Sequence, residues 1–394
     1  MKTGELFPLL AEGKPVDWWF AFKFNAATFP GDESKESSPG IFGGAPKDYK
    51  GEFCLSYAVA SSASPTLQMG DGYIGGSLND PLGATFDQLY NGACNYVIWN
   101  DQFYNDPLES QGAPWGHSKG FLAWDDAGEG FVVQVSTPSW PASGSNEYPR
   151  KTDGNTLGCV NDDDVRVSQH FFALKLNADD VKIVLAGLAN ASVVTDPTKL
   201  QIVRNGGPAD IQKLVNALGK ESASAIPSMT MLSSGVRLIT KPSQLHVAPW
   251  QMVSAALGGL PLRVASWWAD PKINSTDATT PITCWNETML GQPGPVQIAT
   301  TGTWQGKSIG LEGGDGNQFN HAKLGVSMDA AQPLSIFGDM NQQGTLCGIS
   351  KEKVPCASSQ NGRGGLFFVL QQEELYESLS GMLKGESAAV AGGG

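Results

Sequence analysis

The chain has four histidines, and two of them sit in the same short pattern: His117-Ser118-Lys119 and His321-Ala322-Lys323. On a strand, residues i and i+2 project from one face, so each pattern sets an imidazole beside an ammonium. That pairing suits a phosphoryl group. The ammonium holds a non-bridging oxygen while the imidazole reaches phosphorus or an ester oxygen. Two such pairs meeting at one point supply a neutral imidazole as nucleophile and a protonated one as general acid. The two lysines then stabilise the charge that builds on the equatorial oxygens. Neither pattern has carboxylate or histidine partners at zinc spacing, so no metal and no cofactor is expected.

A lone H-x-K is an ordinary surface pair. The argument rests on its duplication with similar flanks. Each copy follows a polar, turn-rich approach, Trp115-Gly116 or Gln318-Phe319-Asn320. Each leads into a small or apolar run, Gly120–Trp124 or Leu324–Met328, that ends at Asp125 or Asp329. The copies lie roughly half a chain length apart, as an internal duplication would place them. His170 and His246 lack the lysine partner and read as structural or exposed.

The elements that must position these groups are legible in part. Trp18, Phe20, Phe22 and Phe24 alternate as on a buried strand, and Tyr96–Trp99, Phe131–Val135 and Leu262–Trp268 read as further strands. Val181, Val184, Leu185 and Leu188 share a helical face within Asp179–Asn190. Ala209–Leu218, stopped by Gly219, and Glu373–Leu383 are further helices. Asp162–Asp164 and Gly31–Gly40 read as polar loops, and Gly310–Gly316 lacks the lysine of a P-loop. Helices and strands are interspersed, which predicts an α/β or α+β pattern.

Composition narrows the options. With 41% hydrophobic and 16% charged residues, a substantial core is available. The 48 Gly and 24 Pro favour many short elements over long helices. No apolar run approaches the roughly 18 residues of a membrane span, and Met1–Glu12 carries no secretory signal, which leaves the compartment open. The formal charge of −13, with a pI near 4.7, repels nucleic acid at neutral pH. A nucleic-acid function therefore has to be acid-favoured or built on a local cationic cleft. The cysteines Cys54, Cys94, Cys159, Cys284, Cys347 and Cys356 are scattered, with no C-x-x-C.

At the two motifs the chain resembles the deoxyribonuclease II family, acid endonucleases of the phospholipase D-like superfamily. Gly116-His117-Ser118-Lys119-Gly120 and Asn320-His321-Ala322-Lys323 are similar to the family's two catalytic motifs. Pro15–Phe20 with Lys23, Asn100-Asp101-Gln102, Gly154–Cys159 and Gly338-Asp339-Met340-Asn341 resemble further family segments in order. Departures are also present. Gly325 and Ile336 stand where the animal enzymes carry a cysteine pair, so that disulfide is absent, and Cys284 is left to pair with Cys347 or Cys356. Val135 and Ser139 replace a His and an Asn of the segment after the first motif.

The resemblance implies a phospholipase D-like α/β fold of two pseudo-symmetric halves, each with a mixed sheet flanked by helices. The halves would span residues 1–205 and 206–384, with 385–394 a flexible tail. It implies metal-independent hydrolysis of DNA to 3′-phosphate and 5′-hydroxyl ends through a phosphohistidine. By superfamily analogy His117 is the nucleophile and His321 the general acid, an assignment that could reverse. Lys119 and Lys323 would grip the scissile phosphate, and Asn341, Ser136, Asn100 and Lys23 would contact or support the substrate. Superfamily members of this size often pair, so a homodimer clamping a duplex is an expectation by analogy alone. Two rivals remain: a phosphodiesterase acting on lipid head groups, which could use the same motifs, and a catalytically inactive DNA-binding relative.

Overall fold

The computed structural model describes residues 5–29, 56–151, 166–289, 291–348 and 356–391. The alternation at Trp18 forms β1 (Trp18–Lys23), every residue of which is buried. It is followed by β2 (Tyr57–Ser61), β3 (Ser64–Met69) and helix α1 (Pro81–Tyr90). Next come β4 (Asn95–Asn100), β5 (Lys119–Trp124), β6 (Gly130–Val135) and β7 (Gln169–Leu176). Helix α2 (Ala178–Asn190) and the short β8 (Val203–Arg204) complete this part. These strands form one eight-stranded sheet in the order β3-β2-β1-β7-β6-β5-β4-β8.

After α3 (Ala209–Val215) come β9 (Ser228–Met231), β10 (Arg237–Lys241), α4 (Pro249–Ala256), β11 (Leu262–Ala265) and β12 (Val296–Ile298). A hairpin, β13 (Thr301–Trp304) with β14 (Lys307–Gly310), stands apart. Then β15 (Leu324–Ser327), β16 (Leu334–Gly338), β17 (Gly365–Gln371) and α5 (Glu373–Met382) follow. The second sheet has seven strands in the order β12-β11-β15-β16-β17-β10-β9. Read from its other edge, it repeats the first: β10, β17, β16, β15 and β11 stand where β1, β7, β6, β5 and β4 stand. Both H-x-K patterns thus lead into the equivalent strand of their sheet, β5 or β15.

The chain is α/β, with few helices. Among the named strands of the described residues, parallel pairing is confined to β11 with β12, beside isolated parallel bridges at Ser168–Asn320 and Ser275–Val390. Every pairing of the first sheet is antiparallel, where the sequence reading expects a mixed sheet in each half. The reason lies in the connections. Parallel neighbours need a long crossover, whereas β5 and β6 are joined by a tight turn. Asp125 closes that turn by accepting from the Ala127 and Glu129 amides, and Asp329 accepts from the Ala331 amide in the corresponding β15–β16 turn. The two aspartates of the repeated pattern are therefore turn residues at the strand ends opposite the lysines.

The sheets share a core. Phe337 of β16 stacks between Phe20 of β1 and Phe172 of β7, with centroids 4.7 Å and 4.5 Å away. Offset aromatic packing of this kind adds about 0.5–1.5 kcal/mol per pair beyond area burial. Asn177 opens α2 with a reciprocal cap to Asp180, and the apolar face read from the sequence is the buried one. That helix packs on β10 as well as on its own sheet, so the halves interlock.

Of the tail expected over 385–394, residues 385–391 are described. Arg263 donates to the carbonyls of Leu383, Gly385 and Glu386 and to Ser387 Oγ, and the Ala388 amide donates to Ile298 O at 2.8 Å. Residues 385–391 are thereby docked along β12. Cys284 pairs with Cys356, while Cys94 and Cys347 are free thiols. Gly325 lies opposite Ile336 across β15 and β16, and the Trp250 ring packs against it. Gly31–Gly40, Asp162–Asp164 and Gly154–Cys159 lie outside the described residues. Among the described residues no helix is long and apolar enough to cross a membrane.

Candidate active site

Each histidine motif hangs on the other half. The His117 amide donates to Gly364 O at 2.8 Å, just ahead of β17. The His321 amide donates to Ser168 O at 2.8 Å, just ahead of β7. The first crossing is close enough to require glycine. A Cβ on Gly364 would lie 2.1 Å from Ala191 O, and one on Gly116 2.6 Å from the same atom.

His117 Nδ1 lies 2.6 Å from the main-chain oxygen of Asp339. A carbonyl only accepts, so Nδ1 carries the hydrogen and Nε2 carries the lone pair. Burial first, then Lys119, Arg363 and Lys323, hold this imidazole well below the usual value of 6.5, while Asp101 pulls it the other way. His117 is therefore a neutral base among cations. His321 stands differently. Its ring meets Trp267 edge to face at 4.3 Å, and Nε2 is 4.0 Å from the exposed carboxylate of Asp315.

The cations are placed by buried partners. Lys119 Nζ is 2.5 Å from Asp101 Oδ1, and Arg363 is 2.9 Å from Asp101 Oδ2. Burial alone would raise the Asp101 carboxyl, but Lys119, His117 and Arg363 outweigh it and hold the group well below the usual carboxylate range. The Lys323 amide donates to His170 Nδ1 at 3.1 Å. Burial, then Lys323, depresses that imidazole to about 3, so His170 stays a neutral acceptor. The Asp339 carboxyl accepts from the Leu366 amide at 3.0 Å, and the nearby Ser118 hydroxyl, which accepts from Trp99 Nε1, favours its ionised form. Burial nonetheless raises it to about 7.

The two motifs are linked through the end of β16: the Gly338 amide donates to Lys323 O at 2.8 Å, and the carbonyl of the next residue, Asp339, holds His117 Nδ1. His117 and His321 keep only 7% and 9% of their surface exposed, which puts both at the edge of solvent. The four expected substrate contacts divide. Asn100 donates to Trp140 O and accepts from the Gln102 amide, Lys23 donates to Val167 O, and Ser136 Oγ bonds Gln169 Oε1 and the His170 amide. All three are buried and engaged by the protein itself. Asn341 is bonded through Nδ2 to Gln343, and its Oδ1 has no hydrogen-bond partner among the described residues.

Asp101, Asp339, Arg363 and His170 were not foreseen as members of the site. Asp101 and Asp339 lie inside segments that carry the family resemblance, which is the one signal that points to them. Arg363 has none. Among the described residues there is no group of three or more His, Cys, Asp or Glu that could hold a metal.

Compared with known proteins, the chain matches the family profile described as Deoxyribonuclease II over residues 9–386. Cell-death-related nuclease 7 of Caenorhabditis elegans is 22% identical over 374 residues, which is 93% of this chain and 83% of that protein. Deoxyribonuclease-2-alpha of Rattus norvegicus is 31% identical over 156 residues, 38% of this chain and 39% of its own length. Putative deoxyribonuclease-2 of Burkholderia thailandensis is 26% identical over 144 residues, 35% of each chain. The last two alignments thus span less than half of those relatives' own lengths.

Proposed function

The chain belongs to the deoxyribonuclease II family and is a deoxyribonuclease, and we propose that it cuts DNA without a metal, through a phosphohistidine, on a phospholipase D-like frame. The observation that carries this reading is the Nδ1 hydrogen bond of His117 to Asp339 O. It turns the Nε2 lone pair into the nucleophile and offers a fixed acceptor for the Nδ1 proton as the ring becomes cationic.

In the first step His117 Nε2 forms a bond to phosphorus as the bond to the 5′-oxygen breaks. His321, protonated beside Asp315, gives its proton to that oxygen and releases a 5′-hydroxyl end. Lys119 and Lys323 balance the negative charge on the equatorial oxygens. In the second step the now neutral His321 takes a proton from water, and the water oxygen attacks phosphorus. The phosphorus–nitrogen bond breaks, leaving a 3′-phosphate end and restoring neutral His117. Asn341 is the polar side chain proposed to meet the substrate. Lys23, Asn100 and Ser136 act as posts for the surrounding loops.

The local charge supports an anionic substrate despite the net charge of −13. Lys119, Arg363 and Lys323 act on His117 against the Asp101 carboxylate. Division of the chain into halves near residue 205 follows the membership of the two sheets. A plasmid-nicking assay at pH 5 in millimolar EDTA, run beside a phosphatidylcholine head-group release assay, tests the reading. Nicking that persists in EDTA and leaves 3′-phosphate ends is expected. Loss of nicking that magnesium or zinc restores would overturn the mechanism. Head-group release without nicking would favour the lipid enzyme, and binding without either activity the inactive relative.

A further inference from the structure

Arg363 comes from the second half, ahead of β17, yet its guanidinium serves the loop that carries His117. Nε donates to Trp115 O at 2.9 Å, and a terminal nitrogen reaches Gln111 O at 2.9 Å, Gly116 O at 3.1 Å and Asp101 Oδ2 at 2.9 Å. The next carbonyl, Gly364 O, receives the His117 amide at 2.8 Å. Arg363's own carbonyl accepts from the fully buried Lys241 ammonium at 2.7 Å, which ties this segment to the end of β10. Asp101, at the end of β4 in the first half, stands between Arg363 and Lys119 with 1% of its surface exposed.

A buried carboxylate is out of place in a pocket for a phosphate, because it subtracts from the charge that binds the anion. Its geometry supplies the reason for its presence. Oδ1 fixes the Lys119 ammonium, and Oδ2 fixes the guanidinium that holds the backbone on both sides of Trp115. We propose that Asp101 and Arg363 form a positioning pair, one member from each half, that aims the Lys119 ammonium and holds the His117 loop. Docking of the halves thereby completes the first H-x-K site. The inference rests on the phosphodiester-cleaving reading above, and neither residue is assigned contact with substrate.

The pair has an electrostatic signature of two signs. Asp101 raises the proton affinity of His117, whereas Arg363 lowers it, in company with Lys119 and Lys323. The Asp339 carboxyl also stands next to this group, through Ser118 and the carbonyl that holds His117. Removing Asp101 therefore lets His117 stay neutral to lower pH. Removing Arg363 brings its protonation to higher pH.

The test measures kcat and KM against pH for Asp101→Asn, Arg363→Gln, Arg363→Lys and the double variant Asp101→Asn/Arg363→Gln. Ring titration of His117 by NMR on histidine-labelled protein runs alongside. Misplacing a reacting group through its supports costs up to about 10²-fold in rate, so kcat should fall by that order while KM does not rise. The acid limb should move to lower pH in Asp101→Asn and to higher pH in Arg363→Gln. In Arg363→Lys it should stay in place while kcat still falls, because the charge is kept and the fork is lost.

Asp101→Asn alone leaves two buried cations without their shared counter-ion and is expected to lower Tm. The double variant removes one charge of each sign and should recover Tm without recovering kcat. Recovery of kcat along with Tm would reduce the pair to a fold-holding role and overturn the proposal. So would limbs and ring titrations that stay fixed or move in the same direction in both single variants. Wild-type protein that fails to cut DNA in EDTA would instead defeat the nuclease mechanism, while the NMR titrations would still decide the placement of the pair.

Discussion

Nδ1 of His117 donates to the main-chain oxygen of Asp339 at 2.6 Å, across 222 positions of sequence. The bond fixes both the tautomer and the direction of the Nε2 lone pair, and it joins the loop ahead of β5 to the end of β16. It also bears on pH. As the proposed nucleophile His117 would attack only as the neutral ring, and burial with three nearby cations holds it well below 6.5. The acid limb of kcat/KM, set by this group, should therefore lie well to the acid side of an ordinary histidine. The alkaline limb would follow deprotonation of the group that serves as general acid, and DNA association weakens as the chain becomes more negative. Activity should peak on the acid side of neutrality in a steady-state profile at constant low salt. An optimum at pH 8 or above would contradict both arguments.

The Asp339 carboxyl makes a stability prediction. Its folded value, about 7, lies above the ordinary 3.8 because of burial. The folded protein thus holds this proton more tightly than the unfolded chain does. The resulting stability is fully present below about pH 4 and is lost as pH rises through about 7. His170, depressed to about 3, works in the opposite sense and loses stability as pH falls below its ordinary value. The contribution of Asp339 is therefore read as a difference between proteins. Asp339→Asn imitates the neutral acid, so its Tm relative to wild type should be higher at pH 8 than at pH 5. A difference that does not change with pH would contradict the assignment.

Much of the site was legible because it repeats. The apolar runs after the two motifs form β5 and β15, but β5 begins only at Lys119 and β15 only after Lys323, so the two histidines stand on the approaches to the strands and not within them as the two-residue strand period expects. The capped, amphipathic α2 was legible for the same local reason. Other parts were not local. Helix α4 is buried almost all round, so it shows no polar face for a periodicity to reveal. The strand read over Leu262–Trp268 stops at Ala265, because the Ser266 hydroxyl accepts from the Gln342 amide and the chain turns to bring Trp267 against His321. Arg363 reaches Asp101 from 262 positions away, a pairing that no spacing rule could propose.

The Cys284–Cys356 bridge closes a 72-residue separation. It fastens the segment around Leu346, whose carbonyl accepts from both the Thr283 and Cys284 amides. A bridge over a loop of that size commonly contributes about 2–4 kcal/mol, chiefly by limiting the unfolded chain. The double variant Cys284→Ser/Cys356→Ser should lose that amount in urea unfolding followed by fluorescence. A change within about 0.5 kcal/mol, the range of an ordinary surface substitution, would mean that the bridge does not constrain the unfolded state.

The two histidines are separated most cleanly by what each leaves behind. A nucleophilic His117 forms a covalent phosphohistidine that a second step must hydrolyse, whereas a general acid forms no adduct. His117→Asn should therefore give no adduct with any substrate. His321→Asn loses proton donation to the leaving oxygen, which typically costs about 10²–10⁴ in rate, so cleavage of DNA could fall below detection. It also loses the base that activates water for the second step. With an activated leaving group such as p-nitrophenolate, the first step needs little proton donation and should be partly rescued. His321→Asn should then accumulate an adduct on His117, visible by mass spectrometry after quenching without acid, while His117→Asn stays silent. An adduct on His321 in the His117→Asn protein would reverse the two roles and leave the Asp339 carbonyl orienting the acid instead. No adduct in either variant would remove the covalent step and recast His117 as a base that activates water directly.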